Sequence, residues 1–299
     1  MLKLMEKGKG NIGEIIMQNF VKITAEIGIN ADGDVEVAKQ LINIAKDSGC
    51  DYVKFQKRDI ESVYTKEQLD SYRESQFGTT FRQQKEGLEF SLEEYQEISE
   101  YCKEENMPFF VSPWDLKSID FLKNNFPHIP YLKIPSAKVT DEKYLKKCLD
   151  SGFDLIMSTG LCNLMMLQKA ISSIVGSKKL KYLLGCTSSY PCPIKDINLN
   201  QIKFLSYYFR TPNCAIGWSD HSGGILFPAV SVALGASMVE VHITLSRTRL
   251  GTDHSSSLEP EGLRHLVKYI RNLELGMGEP NKIIQESEIP VMKKLRNIQ

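Results

Sequence analysis

Eight short apolar runs alternate with eight stretches of helical period along this chain, and that alternation restricts its fold more than any single motif does. The runs, rich in Val, Ile, Leu, Tyr and Phe, fall at 21–27, 51–56, 108–112, 130–135, 154–159, 181–186, 214–218 and 238–243. Helical stretches follow at 35–48, 91–105, 116–125, 141–151, 164–175, 198–209, 224–234 and 261–273. Strands that each lead into a helix pair parallel with one another, and eight such units in about 250 residues predict an α/β fold of the (β/α)8 (TIM) barrel type. Ser91-Leu92-Glu93-Glu94 has the spacing of a capping box, and Pro260 suits the first turn of the last helix. One segment breaks the rhythm: residues 57–90, polar and charged, lie between the second strand and its helix. Barrel sites are built on such loops, so the insertion reads as a lid or substrate wall. The barrel is expected to span 21–280, after an extension over 1–20 that packs on it and before a tail, 281–299, without a strong helical or strand pattern.

Charge narrows the partners. The chain of 299 residues carries 37 basic and 37 acidic side chains, so it lacks the cationic excess with which proteins hold nucleic acid or an anionic membrane. The most apolar window, Ile225 to Ile243, is interrupted by Pro228, Glu240 and His242 and reads as a buried helix followed by a buried strand. The amino terminus has no apolar stretch of signal-peptide length. The seven cysteines are widely spaced without a CxxC pair, which fits buried thiols in a reducing cytoplasm.

Polar residues at strand ends locate the chemistry, because the carboxyl ends of barrel strands face the active site. In chain order these are Glu26, Lys54 and Gln56, Ser112 and Asp115, Lys133 and Ser136, Ser158 and Thr159, Thr187 with Ser188 and Tyr190, Ser219 with Asp220 and His221, and His242. Lys54 and Lys133 stand in apolar runs, where an unpaired ammonium is costly; each either pairs with a structural carboxylate or awaits an anionic substrate. The serines nearby complement phosphate and carboxylate oxygens. His221 and His242 end adjacent strands, with Asp220, Glu240 and Asp253 close in sequence, and suit an open site for a divalent ion such as Mn²⁺. Asp253 and His254 are expected over the same mouth. Glu26 is either the partner of Lys54 or a general base. His128 and His265 read as surface residues.

Several of these residues sit in longer motifs: AEIGIN (25–30), VKFQ (53–56), LKIPS (132–136), STG (158–160), CTSSYP (186–191), GWSDHSGG (217–224), VEVHITLSRTRLGTDHSSSLEP (239–260) and GMGEP (276–280). With these motifs in this order, the sequence resembles the sialic acid synthase (N-acetylneuraminate synthase) family. The resemblance implies an enzyme, a transferase that condenses phosphoenolpyruvate with an N-acylated amino sugar, N-acetylmannosamine or a related hexosamine, to give a nonulosonic acid and phosphate. It implies a metal pair at His221 and His242, with Mn²⁺ expected first and Mg²⁺ or Co²⁺ as substitutes. Lys54, Ser112, Lys133, Ser136, Ser158, Ser188 and Ser219 match positions that hold phosphoenolpyruvate, Ser188 standing where some members carry Asn. Glu26, Tyr190 and Asp253 match positions around the sugar, with Glu26 catalytic beside the two histidines.

The chain departs from the family pattern in three places. Ala31 stands where an imidazole is usual, PSAK (135–138) replaces PSGE, and the antifreeze-like domain that supplies an arginine across a dimer is expected to be absent. Arg247 and Arg249 are candidates to replace that arginine, and a homodimer is the expected assembly. Two alternatives remain at this level. One is another phosphoenolpyruvate-dependent 3-deoxy sugar acid synthase with sugar phosphates as acceptors, against which stands the lack of a second phosphate cluster in the sequence. The other is a non-catalytic or partner-dependent subunit that binds phosphoenolpyruvate or metal.

Overall fold

A computed structural model describes residues 20–174 and 178–296. Its strands are β1 (Lys22–Glu26), β2 (Tyr52–Lys57), β3 (Tyr72–Ser75), β4 (Gly78–Thr80), β5 (Phe109–Pro113), β6 (Tyr131–Ile134), β7 (Asp154–Ser158), β8 (Leu180–Cys186), β9 (Ala215–Asp220) and β10 (Met238–His242). All but β3 and β4 close a parallel barrel in the order β1-β10-β9-β8-β7-β6-β5-β2. These eight are the strands expected from the sequence, and a helix follows each of them. The first helix, Val35–Ser48, shows why the units are legible: Asp34 accepts from the N–H groups of Glu36 and Val37 at its start, and Gly49 closes it at φ 87°. Its apolar side, Ala38, Leu41, Ile42 and Ala45, packs on the barrel.

Alternation along the strands separates two packing regions. Outward residues such as Ile23, Val53, Phe55, Leu132, Leu155, Trp218 and Val241 form the main core against the helices. Inward residues Phe110, Ile156, Leu184 and Met238, flanked by Tyr52, Tyr131 and Tyr182, fill the lower barrel. Their rings meet edge to face, with Phe110 5.7 Å from Tyr52 and 5.8 Å from Tyr131 between centroids. The barrel therefore has an apolar floor, and polar residues one or two steps further along each strand open only at the carboxyl end.

The insertion is more regular than its polar sequence suggests. It contains the helices Ile60–Val63 and Lys66–Leu69, the antiparallel β3–β4 hairpin and the helix Phe81–Leu88. Thr65 and Thr80 each head a capping box, but elements of three to eight residues are too short for periodicity to reveal. Both ends of the insertion meet at Glu89, which pairs with Lys57 and Arg58 at 3.3 Å each. The tail also differs from expectation, because Ile289–Arg296 is helical, with its side chains mostly exposed. The last barrel helix runs four residues beyond its expected end, to Met277. The extension expected over 1–20 lies, except for Phe20, outside the described residues. Among the described residues no helix is long and apolar enough to cross a membrane; the Ile225–Ile243 window divides into the helix Leu226–Ala233 and β10.

Candidate active site at the barrel mouth

Register brings the charged residues together before any side-chain contact is considered. Glu26 lies opposite His242 on one side and Lys54 on the other, and Glu240 lies opposite Ser219. Glu240 and His242 are two apart on β10, so both point into the barrel, as do Ser219 and His221 around the end of β9. Glu240 is the hub: its Oε1 accepts from Lys54 Nζ, Lys133 Nζ and Ser219 Oγ, all at 3.1 Å. Lys54 also pairs with Glu26 Oε2 at 3.2 Å, while Gln56 donates to Glu26 Oε1 at 2.5 Å. The pairing reading of the lysines holds: each is paired with a carboxylate, and each lines the cavity described below.

The four buried charges are not equivalent. Burial works against ionised Glu240, but Lys133 and Lys54 outweigh it and hold this carboxyl well below the usual carboxylate range. For Glu26 burial dominates over Lys54 and raises the carboxyl above its ordinary value. Lys54 has two carboxylate partners, which overcome its burial and raise it; Lys133 has one, and burial lowers it. Glu240 is therefore the fixed anion, and Glu26 is the carboxyl placed to exchange a proton.

The two imidazoles are neighbours, 5.3 Å between ring centroids, and the ring of Tyr190 packs on His221 at 4.1 Å and on His242 at 5.7 Å. His221 Nδ1 lies 2.8 Å from the Thr187 carbonyl, which can only accept, so in the neutral ring Nε2 keeps the lone pair. Burial would depress His221, but the Cys186 thiol and the Thr187 carbonyl reverse this and raise it. His242 is pulled down to about 4, first by burial, so it is neutral near pH 7; its buried Nδ1 has no hydrogen-bond partner and sits 3.6 Å from Asp253 Oδ2. Such donors suit a divalent ion that also takes water and substrate oxygens, although no group of three His, Cys, Asp or Glu side chains gathers for a metal among the described residues.

Among the described residues that line the mouth, two buried hydroxyls, Ser112 Oγ and Ser158 Oγ, lack any partner. Buried polar groups are ordinarily satisfied, so these two point to a ligand acceptor. Ser136, Ser188 and Cys186 cluster beside them, with Sγ 3.8 Å from Ser136 Oγ and 3.7 Å from Ser188 Oγ. Gly160 makes room for this cluster: a Cβ there would stand 2.2 Å from Ser188 Oγ and 2.8 Å from Ser136 Oγ. Gly28, at φ +48°, does the same for the Glu26–Gln56 pair, where a Cβ would lie 2.6 Å from Glu26 Oε1.

These groups enclose a cavity of about 290 Å³, and every one of Glu26, Lys54, Ser112, Lys133, Ser136, Ser158, Ser188, Tyr190, Ser219, His221, His242 and Asp253 lines it. Residues not singled out in the sequence complete it, Arg58 and Lys85 from the insertion, Trp114 and Cys186, together with the hub Glu240, named there only as a carboxylate near the histidine pair. Glu240 was signalled by its spacing from His242, whereas the insertion residues reach the mouth only through tertiary packing. Other strand-end residues serve structure instead. Asp115 caps the helix Leu116–Asn125 through Ser118, and Asp220 accepts from Trp218 Nε1 at 2.9 Å on the outer face of β9. Thr159 and Thr187 bond backbone carbonyls. His254, expected over the mouth, is instead buried behind it between Thr244 Oγ1 (2.8 Å) and Asp32 Oδ1 (3.3 Å). Arg249 pairs with Asp32 at 2.7 Å and Arg247 bonds the Ser255 carbonyl, so neither replaces an arginine in the cavity.

Comparison with known proteins first gives the class. The barrel superposes on the N-acetylneuraminic acid (sialic acid) synthetase of Leptospira borgpetersenii serovar Hardjo-bovis with a TM-score of 0.80 and 30% identity, over 94% of this chain and 93% of that one. The molecule is thus a TIM-barrel enzyme of the sialic acid synthase type. Residues 41–282 match the NeuB family model, and the chain belongs to the NeuB family. It is 39% identical over 258 residues to the Drosophila melanogaster N-acetylneuraminate-9-phosphate synthase, covering 85% of this chain and 68% of that protein. With the N,N'-diacetyllegionaminic acid synthase of Legionella pneumophila it shares 35% identity over 283 residues, 92% of this chain and 78% of that protein.

Proposed function

We infer that this enzyme condenses phosphoenolpyruvate with an open-chain N-acylated amino sugar, N-acetylmannosamine or a related hexosamine, to form a nonulosonic acid and phosphate. The observation that carries the reading is the buried hub, where two lysines share Glu240 beside two hydroxyls that have nothing to bond. Phosphoenolpyruvate brings a phosphate and a carboxylate, and Lys54, Lys133, Ser112, Ser136, Ser158, Ser188 and Ser219 are the complement of those oxygens. His221 and His242 would hold the divalent cation, Mn²⁺ in first place with Mg²⁺ or Co²⁺ as substitutes. When bound it supplies Lewis-acid polarisation of the sugar aldehyde.

The residues of the chain then do the following. The lysines and serines fix phosphoenolpyruvate so that C3 faces the aldehyde carbon; the C2=C3 π pair forms the new C–C bond, the aldehyde oxygen takes a proton from the Glu26 carboxyl, which burial holds above its ordinary value, and C2 is left cationic. Water adds at C2, and its proton returns to Glu26, whose Oε1 accepts from Gln56 and whose Oε2 is paired with Lys54. Phosphate leaves with cleavage of its C–O bond. Tyr190 and Asp253 flank the acceptor. The relatives named above divide over a phosphate on the product, so the far end of the acceptor is the open part of the assignment.

Phosphate release from phosphoenolpyruvate, followed with Mn²⁺ and a panel of N-acylated hexosamines and their 6-phosphates, tests the reading. Release that requires both phosphoenolpyruvate and one acceptor is expected. Folded protein that releases none with any acceptor would overturn it. Leu161, Met165 and Tyr207 are exposed apolar side chains and support a homodimer, which sedimentation velocity tests; the seven free thiols support a reducing compartment.

A further inference from the structure

Each cation of the cavity wall except one has a carboxylate partner. Lys54 and Lys133 share Glu240, and Arg58 pairs with Glu89. Lys85, on the helix Phe81–Leu88 of the insertion, forms no ion pair among the described residues; its ammonium instead lies over the rings of Tyr64 at 5.7 Å and Phe81 at 4.9 Å. Burial, then Arg58 and Arg73, pull it down to about 8, while Asp253 and Glu89 attract it only from beyond ion-pair range. A half-buried ammonium among other cations is an incomplete arrangement unless an anion joins it.

The position of Lys85 says which anion. It lines both the main cavity and a second one of about 250 Å³ behind it, and Ile29 and Thr252 are the other residues common to both. Thr252 adjoins Asp253, which touches His242, so the path from the histidines to Lys85 runs along one wall and away from the hub that suits phosphoenolpyruvate. Arg73 and Gln84 line the second cavity together with Glu74 and with Asp32, which Arg249 neutralises, and the buried Gln84 Oε1 has no partner; with its amide reversed the same side chain offers N–H donors. An acceptor held by its aldehyde at the histidines would extend its far end toward this junction.

We propose that Lys85 sets acceptor specificity by binding an anionic group at the far end of the sugar, a phosphate ester on its terminal hydroxyl; this rests on the functional reading above. A second phosphate cluster was not visible in the sequence because Lys85 and Arg73 come from a helix and a hairpin that only the folded insertion brings to the second cavity.

The test is a ratio: kcat/KM for N-acetylmannosamine 6-phosphate divided by kcat/KM for N-acetylmannosamine, measured on one preparation and so independent of the folded fraction. A charge-assisted contact predicts a wild-type ratio of roughly 10 to 100. Lys85→Met should bring it toward one, and Lys85→Arg should keep most of it. A wild-type ratio near or below one, or a ratio that survives in Lys85→Met, overturns the proposal; a merely structural lysine would lower both terms equally. If neither sugar is turned over, the functional reading has failed, and calorimetric binding of N-acetylmannosamine 6-phosphate decides. Tenfold or greater weakening in Lys85→Met then upholds the anion site, and equal affinity rejects it.

Discussion

Glu240 is the residue on which the site turns. It holds two ammonium groups and a serine hydroxyl on one oxygen, so Glu240→Gln leaves Lys54 and Lys133 facing each other without an anion between them. Breaking a buried pair this way costs about 3–5 kcal/mol, and thermal denaturation should show Tm falling by several degrees. His221→Ala and His242→Ala act differently, since each removes a buried ring that lines the cavity and is no counter-ion of the lysines. Both are expected to lose the response of activity to added Mn²⁺ while Tm changes little, and full metal-free activity in both would refute the metal assignment. Gly160→Ala isolates the serine cradle. Its Cβ would displace the two rotatable hydroxyls and press on Ser136 Cβ at 3.2 Å, a few tenths of an ångström too close, so the fold should survive while KM for phosphoenolpyruvate rises roughly tenfold. Sequence carried much of this level. The period-two spacing of Glu240 and His242, and of Ser219 and His221, was readable as one inward face. That Glu240 rather than Glu26 would serve both lysines was not, because strand order around the barrel decides which ends meet.

At the scale of elements, the insertion is where reading by pattern fell short. Its short helices and hairpin carry sound caps, yet no stretch is long enough to show a period, so Arg58 and Lys85 could not be assigned to the mouth in advance. The lowered Lys85 makes a prediction about this element. Below about pH 8 the ammonium is charged in both folded and unfolded chains, and holding it charged costs the folded state up to about 3 kcal/mol. Between about 8 and the ordinary 10.5 the unfolded chain binds more protons, so stability rises with pH across that window and the penalty is gone above it. Lys85→Met should therefore raise the unfolding free energy at pH 7 by about 2 kcal/mol after loss of the ring contacts, and its advantage should vanish by about pH 10.5. Denaturation of both proteins at pH 7, 9 and 10.5 checks this; a gain that does not shrink with pH would show that the ammonium is not its source.

For the whole molecule, the barrel was legible because each strand and helix declares itself locally and eight repetitions leave few ways to close. The helix Ile289–Arg296 was not, since eight residues are too few to establish a period and its apolar side chains Ile289, Val291 and Leu295 stay exposed. The even balance of 37 basic and 37 acidic residues holds for the surface as a whole and conceals the mouth, where the paired lysines stand above an apolar floor. An anion that binds there stabilises the entire barrel by mass action: phosphoenolpyruvate at a hundred times its Kd should add about 2.7 kcal/mol, and Lys133→Ala should show less of that shift at the same concentration.

The meeting of both ends of the insertion at Glu89 has a further consequence. Because the segment leaves and re-enters the barrel at one ion-paired point, its interior can change in length and sequence without altering the register of any barrel strand. The barrel and this segment can therefore diverge as separate modules, the first conserving a reaction and the second being grafted, cassette-like, to suit another sugar.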